Sequence, residues 1–336
     1  MAYANYQTPT KITFYPSYLQ YAYAAGLIGG VSNNIDLNDE DIYKMAVVDP
    51  SNITNFISGP DSYFSYNIPS NWNFDFGMIL GHNFNGSVSY IPYSFTGTDH
   101  TPETNIEGTG IVNYVQSTNP QYNGWSSFNL ANVPNDKNWI GFDELGSGAD
   151  TAIYIGSVLI GKKWEAPQNI DINNNISYSY GAKQKKTIGG KTLSQMNYYK
   201  TNKWGSLDAW ELNENISDEP TDSRNGIRSW NVSWSMLQDN KVLPQNAMQN
   251  SNAWTIDDDA EYSIGADGTS LYNSTDGIDF YTSVLKMTMG SHLPVVIKIS
   301  ESNNPDQWAV VRIAKHKISQ KNPKFIDISL TLEEQV

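Results

Sequence analysis

The sequence predicts an all-β protein built from two β-sandwich domains. Three observations carry this. Short β-branched and aromatic runs recur about every ten residues, separated by turn-forming clusters such as Asn85-Gly86. No long stretch keeps a helical period. Tyr (21), Phe (11) and Trp (10) make up 12% of the chain, and these residues suit pleated surfaces. At 336 residues, the chain accommodates two cores of about 150 residues each.

The elements follow in order. Met1 to Thr10 is polar and aromatic, Lys11 to Tyr15 is strand-like, and Tyr18 to Leu27 suits a single helix or a docking loop. Residues 1–30 are therefore read as an N-terminal aromatic arm, with Tyr3, Tyr6, Tyr18, Tyr21 and Tyr23 as candidate contacts to a neighbouring subunit. Asn38 to Asn52 reads as loop with a short strand at Met45 to Val48. Asn55 to Ser58 and Ser62 to Ile68 alternate as strands. Phe76 to Leu80 is a strand of the buried type, followed by a tight turn over Gly81 to Gly86 and an alternating strand over Ser87 to Ile91. Ile111 to Val115, Trp125 to Leu130 and Trp139 to Phe142 follow.

Thr151 to Ile160 is the most apolar run of the chain, bounded by glycines, and is expected to be one buried strand closing the first domain. The polar stretch after it reads as a hinge. The boundaries expected are an arm over 1–30, a β-sandwich over 31–165, a linker over 166–176 and a second β-domain over 177–336. In that second domain Ser177 to Tyr180, Lys183 to Ile188, His292 to Ile299 and Gln307 to Ala314 are strand-compatible. Met236 to Leu243 suits a turn of helix, and Phe280 to Met289 a strand or short helix. Trp230, Val232 and Trp234 share one face of a strand, as do Ile326, Ile328, Leu330 and Leu332.

Composition narrows the function. Asp and Glu total 35 against 21 Lys and Arg, a formal charge of −14, and the basic clusters at Lys183 to Lys186 and Lys315 to Lys324 are small. Nucleic acid is excluded as the main partner, because phosphate binding needs a basic face. No Cys is present, so neither a disulfide framework nor a thiolate metal site is expected. MAYANYQTPTK lacks the basic and apolar regions of a secretory signal. Tyr18 to Val31 falls short of the roughly 20 residues of a membrane span, so no membrane insertion is expected.

A catalytic constellation is not found. His82, His100, His292 and His316 are scattered, without metal-ligand spacing. Asp257, Asp258, Asp259, Glu261 and Asp267 form the densest acidic cluster but lack the calcium-loop pattern. Gly189-Gly190-Lys191-Thr192 resembles the end of a phosphate-binding loop, yet the first glycine is replaced by Lys185. Gly146-Ser147-Gly148 fails the nucleophile-elbow pattern. No metal, no cofactor and no enzymatic activity are expected. Paired carboxylates of a glycoside hydrolase stay open, because 35 acidic residues always offer some pair. Trp72, His82, Asn83 and Asn85 are candidate glycan or partner contacts around the Gly81 to Gly86 turn.

Phe76-Gly-Met-Ile-Leu-Gly-His-Asn-Phe-Asn-Gly-Ser-Val resembles the strand-and-turn pattern of galactose-binding-like jelly rolls in tailed-bacteriophage virion proteins. Tyr154-Ile-Gly-Ser-Val-Leu-Ile-Gly-Lys-Lys-Trp-Glu-Ala-Pro resembles the closing strand of the same module. Trp204-Gly-Ser-Leu-Asp-Ala-Trp-Glu-Leu, Asn304-Pro-Asp-Gln-Trp-Ala and Ile328-Ser-Leu-Thr-Leu-Glu-Glu are similar to uncharacterised tail proteins of marine phages. The resemblance implies an N-terminal galactose-binding-like jelly roll followed by a C-terminal tail-tube-like β-barrel or sandwich. It implies a non-enzymatic tail-tip or baseplate protein, like a distal tail or hub protein, located in the virion. Its partners would be copies of itself in a ring, tube, hub and fibre proteins, and a host surface glycan. A capsid decoration protein and a carbohydrate-binding adhesion module are the alternatives.

Overall fold

A computed structural model of the chain describes residues 11–35, 37–49, 52, 54–58, 62–68, 74–82, 91–95, 104–105, 112–114, 124–130, 139–143, 151–172, 174–179, 182–196, 227–238, 241–243, 279–299, 308–322 and 325–335. The described residues are mostly β-strand, and every strand pairing among them is antiparallel.

Among the described residues twenty strands fall into five sheets. The largest has seven strands. In spatial order they are β13 (Trp164–Glu165), β1 (Thr13–Tyr15), β18 (Val295–Lys298), β19 (Trp308–Asn322), β20 (Phe325–Glu334), β17 (Ile227–Gln238) and β14 (Asn175–Ser179). A five-stranded sheet runs β2 (Gly30–Asn33), β4 (Phe64–Asn67), β10 (Trp139–Asp143), β6 (Ile91–Phe95) and β7 (Thr104–Asn105). A four-stranded sheet runs β12 (Ser157–Gly161), β5 (Phe76–His82), β9 (Gly124–Asn129) and β8 (Val112–Tyr114). Two further pairs are β3 (Thr54–Ser58) with β11 (Thr151–Ile155), and β15 (Ala182–Lys186) with β16 (Thr192–Met196).

Strands β5, β9 and β12 of the four-stranded sheet form a middle layer, with buried side chains on both faces. Ile79, Phe128, Val158 and Ile160 on one face pack with Phe64, Tyr66, Ile140 and Phe142 of the five-stranded sheet. Phe76, Met78, Leu80, Trp125 and Leu159 on the other face pack with Tyr15, Val296, Trp308 and Val310 of the seven-stranded sheet. Two-sided burial explains why β5 and β12 are continuous apolar runs while β17 and β20 alternate. In β20, Ile326, Ile328, Leu330 and Leu332 are buried as the alternation predicts, and so are Trp230, Val232 and Trp234 in β17.

Several expectations are corrected. Thr151 to Ile160 is two strands rather than one. The chain leaves β11 at Gly156, whose N–H donates to the Leu80 carbonyl at 3.0 Å, and re-enters in a different sheet as β12. The segment 11–24 is no free arm. Phe14 is fully buried, and β1 lies between β13 and β18 in the largest sheet. Tyr18–Ala24 is a helix, α1, capped by Ser17 Oγ, which accepts from the Gln20 N–H at 3.2 Å. It lays Tyr18, Leu19 and Ala22 into the core shared with β12.

The 38–52 loop contains a second helix, α2 (Asp39–Met45). Its cap is Asn38, and its first turn carries Asp39, Glu40 and Asp41, which the helix dipole favours. Ile42 and Met45 anchor it. Phe280 to Met289 holds a single turn of π-helix, Tyr281–Lys286.

The stretch 166–176 read as a hinge is fastened at several points. Ala166 donates its N–H to Ile12 at 3.0 Å, and Ala166 and Ile170 are buried. Gln168 hydrogen-bonds the Ser235 carbonyl. Asp171 accepts from Ser233 Oγ at 2.9 Å and Ser235 Oγ at 2.7 Å. These polar side chains are spent on β17, which is why the segment looks solvated in sequence.

Candidate functional site

The described members of the first candidate contact set lie inside the fold. His82 ends β5. Gly81, at a positive φ of 67°, makes a bulge that shifts the register between Leu80 and His82. One inserted residue turns His82 off the face of Leu80. His82 is fully buried, and its Nε2 lies 2.7 Å from Ser126 Oγ on β9. It is therefore not a surface contact for a glycan or partner. Trp72, Asn83 and Asn85 lie outside the described residues.

Burial pushes the His82 imidazole down to about 3 from its ordinary 6.5, so it is neutral near pH 7. The unfolded chain takes up a proton below about 6.5 and the folded chain does not. Stability through this group is therefore complete above about 6.5. It is lost at about 1.4 kcal/mol per pH unit as the pH falls towards about 3. Half-buried Asp75 and Asp279, whose carboxyls desolvation raises, act in the opposite sense in the carboxylate range. Denaturant melts from neutral to mildly acidic pH should thus show a steeper loss for the wild type than for His82→Gln. Parallel curves for the two proteins would refute the assignment.

The candidate oligomer contacts divide similarly. Tyr18 is buried at 1% exposure and packs against Phe74 at 5.5 Å, so it does not reach a neighbour. Tyr21 is half-buried, and Tyr23 is exposed with its ring 6.2 Å from Tyr43. Tyr3 and Tyr6 lie outside the described residues, as do His100, Gly146 to Gly148 and the Asp257 to Asp267 cluster. Among the described residues no three His, Asp or Glu come together at metal-binding distance. No helix among them is long and apolar enough to cross a membrane.

Two surfaces remain that hold the basic clusters of the sequence, neither of them among its candidate contacts. One is an open groove of about 730 Å³ over the seven-stranded sheet, lined by Asn231, Ser233, Ser291, Lys315, His316 and Lys317. At its rim Met289, Gly290 and Ser291 all have positive φ, at 50°, 66° and 85°, a costly run for two residues with side chains.

The other surface is the stretch from Ile172 through the β15–β16 hairpin. Nine large apolar side chains are exposed among the described residues, and five of them fall here: Ile172, Ile176, Tyr178, Ile188 and Leu193. Among the described residues strand β14 is the outermost of its sheet, and all five of its residues are exposed. Among the described residues β15 and β16 pair only with each other. The Gly189-Gly190 sequence is the tip of this hairpin, with Gly190 at φ 79°, and no helix follows it to receive a phosphate. The alternation of Ser177 to Tyr180 and the Lys-rich run were the available signals, but neither says which side of a strand stays uncovered.

Family models, curated proteins and solved structures were all compared with the chain, and none matches it.

Proposed function

We propose that this chain is a non-enzymatic structural protein of a tailed-bacteriophage virion, a component of the tail tip or baseplate that assembles as a ring. In this reading residues 31–165 form an outward jelly roll and residues 177–336 form the assembly domain. The observation that carries it is the concentration of exposed apolar side chains on one edge strand and its adjoining hairpin. Exposed sheet edges are an aggregation liability in a free monomer, and closed rings cover them with the neighbouring subunit. The layered antiparallel architecture and the sequence resemblance agree with it.

The test is sedimentation and electron microscopy of the purified protein, together with peptide mass spectrometry of separated heads and tails. Closed rings and recovery in the tail fraction are the expected results. Recovery with heads would transfer the protein to capsid decoration. A monomer at high concentration that is missing from particles would refute both.

A further inference from the structure

We propose that the β15–β16 hairpin, with edge strand β14 leading into it, is a docking arm that a second copy of this chain receives. The inference rests on the self-assembly part of the proposed function and names the element that makes the contact.

The arm is preformed. Thr187 N–H donates to the Lys191 carbonyl at 2.9 Å, and Lys191 N–H donates back to Thr187 Oγ1 at 3.1 Å. Gly190 N–H closes the tip on the Thr187 carbonyl at 2.9 Å. Lys183 stands opposite Gln195, Lys185 opposite Leu193 and Lys186 opposite Thr192. An isolated two-stranded hairpin is only marginally stable in water, so covering it stabilises it, and its existing shape lowers the ordering cost of docking.

Its chemistry selects the occupant. Residues 172–196 contain Lys183, Lys185, Lys186 and Lys191 and no carboxylate. The rest of the chain is thus four charges more acidic than the −14 of the whole. A cationic arm on an acidic body is complementary to another copy of that body. Exposed Asp39 and Glu40 of α2 are examples of the groups it would meet. Ile188 at the tip is fully exposed, and Leu193 is 53% exposed. Apolar residues among the lysines suit a protein surface better than a phosphate backbone, which rewards charge alone. Among the described residues no strand pairs with the open side of β14, which offers its backbone groups to an incoming strand, with Ile176 and Tyr178 beside it.

The test uses the full chain. A charge-reversed variant carries Lys183→Glu, Lys185→Glu, Lys186→Glu and Lys191→Glu, and a second variant carries Ile188→Ser and Leu193→Ser. Each is expected to weaken self-association about 10- to 100-fold by sedimentation while leaving the thermal midpoint unchanged when both proteins are diluted to monomers. Added salt should weaken the wild type more than the charge-reversed variant. Zero-length carbodiimide coupling should join arm lysines to carboxylates of another copy. If both variants assemble like the wild type, the arm is overturned and the virion reading stands. If the wild type itself stays monomeric, the arm falls, and if it is also missing from particles the virion reading falls with it. Wild-type binding to single-stranded DNA at physiological salt, lost on charge reversal, would overturn the second-copy occupant in favour of nucleic acid.

Discussion

Gly141→Ala should cost about 3–5 kcal/mol and remove most folded protein from the soluble fraction. Gly141 sits in the middle of β10, paired with Ser65 of β4 on one side and Tyr93 of β6 on the other. A methyl group there would lie 2.1 Å from the Phe64 carbonyl oxygen and 2.7 Å from the Ser65 Cα. Those are backbone atoms of a paired strand, so relief requires moving β4 against its ladder. β4 also carries Phe64 and Tyr66, both fully buried in the core beneath the five-stranded sheet. Gly77→Ala is the control. There the methyl would meet the Phe128 ring at 2.3 Å, and a ring rotates more readily than a strand shifts. That variant should cost less, about 1–3 kcal/mol. Denaturant midpoints of the two variants check the ordering. Equal losses would show that close approach to backbone is not what makes Gly141 necessary.

Trp234→Ala is expected to be of similar size, about 3–5 kcal/mol, whereas Trp234→Phe should cost about 1 kcal/mol. Trp234 is fully buried and packs with Phe14 at 6.5 Å and Trp164 at 6.4 Å between ring centres. Trp164 in turn packs on Phe280 at 5.0 Å, and Phe280 on Phe14 at 6.0 Å. Four rings from β1, β13, β17 and the start of the π-helical turn thus close on one another. Truncating one opens a void that the other three share. The Trp234 Nε1 has no hydrogen-bond partner among the described residues, so phenylalanine gives up mainly contact area. Differential scanning calorimetry of the two variants checks this. A large loss in the phenylalanine variant would mean that the indole nitrogen bonds a group outside the described residues.

What the sequence makes legible follows from how each strand is covered. β17 and β20 meet a core on one face, so Trp230 to Trp234 and Ile326 to Leu332 alternate and their faces are readable. β5 and β12 meet a core on both faces, so Phe76 to Leu80 and Ser157 to Ile160 read as buried but carry no information about which layer each side touches. The switch at Gly156 is invisible for the same reason, since hydrophobicity does not change when the partner sheet does. α2 was missed because Asp39, Glu40 and Asp41 resemble a solvated loop. Its signature was Asn38 followed by three acids and the apolar pair Ile42 and Met45.

The polar residues of 166–176 do not show in sequence that Gln168 and Asp171 find their partners on β17, far along the chain. At the candidate sites, Tyr23 was legible as an exposed residue. The inward turn of His82 depends on a single bulge at Gly81, which a local pattern does not reveal.

The place of β1 has a consequence for how the protein is made. Thr13 to Tyr15 leave the ribosome early, yet their register partners are Val296 to Lys298 and Trp164 to Glu165. One side of the strand can pair once Trp164 and Glu165 are made, but the other has no partner until nearly all of the described chain has been synthesised. Contacts of such long sequence separation form slowly. An unsatisfied strand held for that time is a natural client for a chaperone, and starving cells of chaperone capacity should trap the nascent chain before the sheet can close around it.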